Sequence, residues 1–350
     1  MIKKSIFTIN MRNARLLTEV NAGIISYLTT VFIVTINPLI LSRAHIPPQD
    51  VFLATCITIG FACILIGLRT NMPILIGPTS AINSYFVTGV TGNLGLNWQQ
   101  GLGVVCLSGI ILLILSQCNI RKILHANIPP YLTQATVYGI GIFLLWIACA
   151  FSGIYTWEKQ QIIWHWQPLS YFLLAAVASL LAQSLKIPGH FIIGLGIATF
   201  AAIHLNPPHI DTAIALPHTF TQSFMALTFP EHFSIRVCAA IFAITVIVLF
   251  DSNASLNMLL RNSPRETIDC SRPIEAMGLS TILGSILGTS STGTYLESLS
   301  GIHSGGKTGV TACVAGVLFL ITMFFSPLLH IIPPSASAAL LFLIGWNIST

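Results

Sequence analysis

The 350-residue sequence predicts an all-α polytopic membrane protein with about 12 membrane segments, two of them broken into half-helices. Three observations carry this. Apolar residues make up 54% of the chain at a mean hydropathy of +0.83. Charged residues make up only 7%, against roughly 25% in a soluble domain. The basic residues also fall mainly on one side of the apolar runs. A soluble enzyme and a disordered chain are excluded. So is a nucleic-acid partner, because the net charge of +5 is spread thinly and forms no basic stripe.

Taken in order, the spans fall near 19–41, 51–68, 98–117, 131–154, 168–185, 189–206, 235–258, 308–326 and 335–350. Each is an apolar run close to the 20 or so residues that cross a bilayer. Three further segments, 72–92, 274–288 and 289–302, are apolar but studded with small or polar residues. Segment 274–288 reads as a short helix and the other two as broken helices. The first apolar run starts after residue 18 and is long enough to span, so no cleavable signal peptide is expected. The whole of 1–350 reads as one transmembrane domain.

With the N-terminus cytoplasmic, 12 of the 15 basic residues lie inside, among them Lys122, Arg265 and Lys307. Arg43, Lys159 and Arg236 lie outside, as the positive-inside rule requires. The loops 155–167 and 207–234 are then external, and Trp157, Trp164 and Trp166 suit an interfacial belt. The expected location is a cell (inner) membrane, multi-pass. Eight cysteines without a C-x-x-C pair read as packed thiols.

Eight of the ten acids have ordinary explanations. Glu19 and Asp50 start helices, where negative charge complements the dipole. Glu158, Asp211 and Glu231 fall in outer loops, and Glu266, Asp269 and Glu275 in an inner one. Asp251, which follows eight uninterrupted residues from Ala243 to Phe250, and Glu297, inside Gly288–Ser298, sit at membrane depth. An ionisable group there costs roughly 2.5–3.5 kcal/mol or more, so each is a candidate functional residue able to exchange a proton.

Segment 76–86 opens with Gly77-Pro78 and small polar residues before an apolar helical stretch, and 288–300 does the same with Gly, Ser and Thr. Irregular backbone at membrane depth survives only where it is buried in protein or lines a cavity. A pair of interrupted segments in corresponding halves points to a transporter's central site. Asn37 and Asn83 are 46 residues apart, as are Asp251 and Glu297, a weak echo between the halves.

These residues resemble a family. Thr18–Gly23, Tyr27-Leu28-Thr29 and Asn37-Pro38 resemble the first helix of the AzgA-like purine permeases, which are nucleobase–cation symporters. Gly288-Thr289-Ser290-Ser291-Thr292-Gly293-Thr294-Tyr295-Leu296-Glu297-Ser298, continued by Gly305-Gly306-Lys307-Thr308-Gly309, resembles their tenth-segment motif. Phe250-Asp251-Ser252 with Leu256 matches the eighth segment, and Pro78 with Asn83 the third. The resemblance covers nearly the whole chain.

It implies an inverted-repeat transporter of the 7+7 segment type, with segments 3 and 10 as the broken half-helices. The first repeat would cover about 17–206 and the second about 235–350, incomplete because the chain stops at Thr350 after segment twelve. It also implies import of hypoxanthine, guanine or adenine by proton symport. The implied substrate site is Glu297, Asp251, Asn83, Pro78, Thr79 and Thr294, with Asp251 and Glu297 coupling the proton.

Thr79 and Ala81 replace two family glycines, narrowing the approach to a flat ring. Val248 replaces an acid, and Ala254-Ser255 a Gly-Thr pair. The alternative reading is a transport-inactive truncated pseudo-transporter or membrane scaffold. No enzyme chemistry, cofactor or metal site is expected; His204, His209, His218 and Asp211 fit no zinc spacing. The formal P-loop match at Gly301–Thr308 lacks a preceding strand and reads as a tight inner turn. Tyr85, Phe86 and Tyr295 are candidates for stacking on a base or for helix packing. The expected partners are a purine nucleobase, a proton in preference to sodium, and the lipid bilayer; a homodimer is an allowed assembly.

Overall fold

The computed structural model describes residues 14–118, 138–205 apart from 140, 143, 144, 147, 151, 159, 160, 186 and 188, and then 220–230, 234–261 and 271–349. Lys122, Lys159, His209, Asp211, His218, Glu231, Arg265, Glu266 and Asp269 lie outside the described residues, as does much of the span expected at 131–154.

The first span is two helices, α1 (Leu16–Thr30) and α2 (Ile33–Leu41), joined by a turn at Val31 and Phe32. Tight i→i+3 bonds carry the chain through the turn, from Val34 N to Val31 O and from Thr35 N to Phe32 O, both 3.1 Å. The Thr35 hydroxyl also donates to Phe32 O at 2.7 Å. Pro38, which cannot donate a backbone bond, sits within α2.

Helix α3 (Pro48–Thr70) starts with proline in its first turn and ends at Asn71 in the left-handed conformation. A three-residue strand β1 (Ile76–Pro78) leads into α4 (Ser80–Tyr85), which continues as a wider π-helical turn over Phe86–Asn93. Helix α5 (Trp98–Gln117) opens with a capping box between Asn97 and Gln100.

Within the loop expected at 155–167, β2 (Tyr155–Glu158) pairs antiparallel with β3 (Gln161–Trp164). After β3 come α6 (Trp166–Ser184) and α7 (His190–Leu205), then α8 (Ile235–Arg261) and α9 (Ser271–Leu287). The second broken segment is β4 (Thr292–Thr294) followed by α10 (Ser298–His303). Helix α11 (Gly309–Thr322), a 3-10 stretch (Met323–Ile331) and α12 (Pro334–Ser349) complete the chain described.

Five helical stretches among the described residues are long and apolar enough to cross a membrane: Leu16–Ala44, Pro48–Thr70, Trp98–Gln117, Ile235–Leu256 and Gly309–Ser326. These match five of the eight expected continuous spans that fall on described residues; the span at 131–154 falls largely outside them. Helices α7 and α12 have only 16 residues each, just under the length that crosses a bilayer unaided. Glu275, expected in a loop, lies within α9, because that helix starts at Ser271; it forms a 2.6 Å ion pair with Arg69 at the end of α3.

Two large buried clusters place the site. One gathers residues of α3, β1, α5, α8 and α9, including Ile66, Ile76, Leu102, Leu112, Ile244, Val248 and Met277. The other joins α2 to α7 and α12 through Phe32, Ile36, Ile40, Phe191, Leu195 and Leu340. Small residues let backbones approach: a Cβ on Gly309 of α11 would collide with the Gly67 carbonyl oxygen of α3.

Candidate functional site

The two broken segments meet. Strands β1 and β4 pair antiparallel, with Ile76 opposite Thr294, Gly77 opposite Gly293 and Pro78 opposite Thr292. The helices that follow, α4 and α10, therefore lead away from one point. The hydroxyl of Tyr295 donates to Pro78 O at 2.7 Å, and Tyr295 N donates to Leu75 O at 3.0 Å. Leu75 N in turn donates to Ser298 Oγ at 3.0 Å. Only glycine fits at 77, because a Cβ there would lie 2.5 Å from the Tyr295 hydroxyl oxygen and 2.6 Å from Ile59 Cγ1.

Beside this crossing is a cavity of about 90 Å³. Thr79, Ser80 and Ala81 line it from the start of α4, Asp251 and Ser255 from α8, and Thr294, Tyr295, Leu296 and Glu297 from the β4–α10 turn. Thr30, Phe32 and Ile33 from the α1–α2 turn and Ile344 from α12 close it. Both carboxylates are half-buried, and among the described residues neither enters an ion pair. The Thr79 and Ser252 hydroxyls are buried and have no hydrogen-bond partner among the described residues. Both lie near Gly293: a Cβ there would be 2.9 Å from Thr79 Cγ2, 3.3 Å from Ser252 Oγ and 3.5 Å from Asp251 Oδ2. The wall thus offers two acceptors and a free hydroxyl among apolar side chains, suited to a small polar ligand.

Of the residues singled out in the sequence, Glu297, Asp251, Thr79 and Thr294 line this cavity. Asn83 and Pro78 stand behind it. Asn83 is fully buried; its Nδ2 donates to Asn37 Oδ1 and its Oδ1 accepts from Ser290 Oγ, so its amide faces the helix packing. Asn37 Nδ2 donates to Thr55 Oγ1 at 2.5 Å and to Thr289 Oγ1 at 2.9 Å. This buried amide pair ties α2, α3, α4 and the stretch before β4 together. Pro78 contributes its carbonyl to the Tyr295 bond. Phe86, a stacking candidate, is fully buried in the core.

Sequence reasoning does not single out Thr30, Phe32, Ile33, Ser255 or Ile344 as lining residues. Ser255 lies one helical turn from Asp251, a spacing that could have found it. Thr30, Phe32 and Ile33 carry no sequence signal, because an apolar helix hides where it breaks.

The Permease family profile matches residues 17–347. The chain belongs to the Permease family. This permease is 28% identical over 349 residues to the adenine permease AdeQ of Escherichia coli (strain K12), covering 97% of this chain and 79% of that protein. It is 30% identical over 349 residues to a putative permease of Methanocaldococcus jannaschii, covering 97% and 80%. It is also 28% identical over 353 residues to the guanine/hypoxanthine permease PbuG of Bacillus subtilis (strain 168), covering 93% and 79%. The AzgA-like resemblance of its motifs agrees with these relatives.

Its fold is similar to the transmembrane domain of the cyanobacterial bicarbonate transporter BicA, with a TM-score of 0.77 at 14% identity over 96% of this chain and 89% of that one. SLC26A9 gives 0.70 at 13% identity over 98% and 59%. At these identities the likeness is one of fold. The permease is a multi-pass membrane transporter.

Proposed function

We propose that this permease imports purine nucleobases (hypoxanthine, guanine or adenine) by proton symport. The observation that carries the reading is the pair of carboxylates, Asp251 and Glu297, on one small cavity beside the crossed half-segments. The names of the adenine and guanine/hypoxanthine relatives support the substrate class. Glu297 accepts hydrogen bonds from ring N–H groups. Asp251 takes up and releases the coupling proton, and Thr79 and Thr294 complete the polar edge. Asn83 and Pro78 serve the site by holding α4 and β1 in place.

Two inverted repeats, about 17–206 and 235–350, belong to a 7+7 plan in which one domain rocks against the other around the site. The protein resides in a cell inner membrane with its N-terminus cytoplasmic. Neither relatives nor cavity favour the inactive-scaffold alternative.

Binding of labelled hypoxanthine, guanine, adenine and uracil to the purified permease tests this. Binding of a purine in preference to uracil is expected. Glu297→Ala should weaken it by about 1–3 kcal/mol, the cost of an unpaired buried polar group, with Glu297→Gln milder. A folded protein that binds no purine overturns the reading and brings the scaffold back.

A further inference from the structure

A second, larger cavity of about 560 Å³ adjoins the first. Its wall is almost wholly apolar, with Phe52 from α3, Ile192, Leu195 and Phe200 from α7, and Phe325 and Ile331 from the 3-10 stretch. Phe32 lines both cavities. Around it the chain alternates: Thr30 and Ile33 face the polar cavity, whereas Val31 and Val34 face the apolar one.

Phe32 also sits at the turn between α1 and α2, where i→i+3 bonds run beside the regular i→i+4 ones. Its ring meets Phe191 of α7 edge-to-face, with centroids 5.2 Å apart at 69°. The ring is thus held from one side by another helix, at a point where its own helical stretch tightens.

We propose that Phe32 is the partition between the polar cavity and the apolar chamber, and that its size determines which flat ligands pass from one to the other. The inference rests on the purine reading for its ligand but not for its geometry. The larger cavity, at about 560 Å³, has volume for a planar heterocycle, and the polar cavity supplies the acceptors that would hold it. An aromatic ring between them offers a π-face to slide along and a bulk that blocks wider molecules. Phe32 is therefore a residue that sets specificity by access, distinct from the carboxylates that hold the ligand.

The test reads access without a purine. Ser255→Cys, on the polar cavity wall, reports the rate of labelling by a narrow and a wide thiol reagent. The background changes the exposed thiols Cys118, Cys149 and Cys238, and also Cys270, to Ser. Phe32→Ala should speed labelling by the wide reagent several-fold, and Phe32→Trp should slow it. Phe32→Leu, which keeps apolar volume, should fall between and guards against misfolding of the other two. Equal rates in the Ala, Leu and Trp variants overturn the partition.

In parallel, competition with hypoxanthine uptake by a purine with a bulky N6 substituent should strengthen in Phe32→Ala. If the unmodified protein takes up no purine while labelling still follows residue size, the purine reading fails and the partition stands.

Discussion

Four carboxylates near the helix ends and the membrane centre divide by what reaches them. Asp50 accepts backbone bonds from Thr221, Gln222 and Ser223 at 2.9–3.2 Å, together with the Thr221 hydroxyl. Glu19 accepts from Lys307 N, Thr308 N and the Thr311 hydroxyl at 2.7–3.1 Å. Both sit in the first turn of their own helices, as the sequence suggests, and each also anchors a distant segment. Among the described residues, the carboxylates of Asp251 and Glu297 take no such bonds; both residues line the cavity.

Replacing Asp50 by Ala would strip the acceptor from three backbone donors, costing about 1–3 kcal/mol for a buried group left unpaired. Thermal unfolding should therefore show Asp50→Ala clearly less stable than wild type and Asp251→Ala much less affected. The reverse order would make Asp251 the structural acid. The acids at membrane depth are legible because charge in an apolar run is conspicuous. The anchoring roles are not, since their partners lie 171 to 292 positions away in sequence.

At the scale of elements, the site depends on two three-residue strands crossing. Tyr295→Phe removes the bond to Pro78 O and should cost about 1 kcal/mol. It should weaken purine binding while leaving the protein folded, as measured by binding and unfolding on the same sample. Unchanged binding would show that the Tyr295 hydroxyl does not position the β1–α4 turn. Gly77→Val should abolish folding or binding, because its side chain would enter the space of Tyr295 and Ile59.

The breaks at Gly77-Pro78 and across Gly288–Gly293 are readable from glycine and proline punctuation. The pairing is not, because three residues are too few for strand alternation to register. The tightened turn at Val31-Phe32 carries no glycine or proline mark, and the expected span at 19–41 runs through it as one helical stretch, Leu16–Ala44. The β2–β3 pair is obscured because two four-residue strands look like an aromatic-rich loop.

At the scale of the molecule, composition and spacing point to a polytopic helical membrane protein, and the fold likeness to BicA agrees. Helices shorter than a full span read as longer ones, since hydropathy continues through their turns. The proposed orientation predicts that cysteines placed at Lys122 and Arg265 react only from the cytoplasm and one at Lys159 only from outside. Labelling of position 122 in intact cells by an impermeant reagent would reverse the topology.

Movement of purines with protons through the two-acid cavity shows itself in accumulation. Cells lacking their own purine uptake and expressing the permease are given labelled hypoxanthine, adenine, guanine or uracil, with and without a protonophore. Exchange of internal for external substrate is measured beside it. Concentrative uptake of at least one purine, abolished by the protonophore, is expected. Asp251→Asn should keep exchange but lose concentration against a gradient, because an amide retains shape and hydrogen bonding but carries no titrating proton. Accumulation that ignores the protonophore, or an Asp251→Asn protein that concentrates purine as the wild type does, would contradict the account.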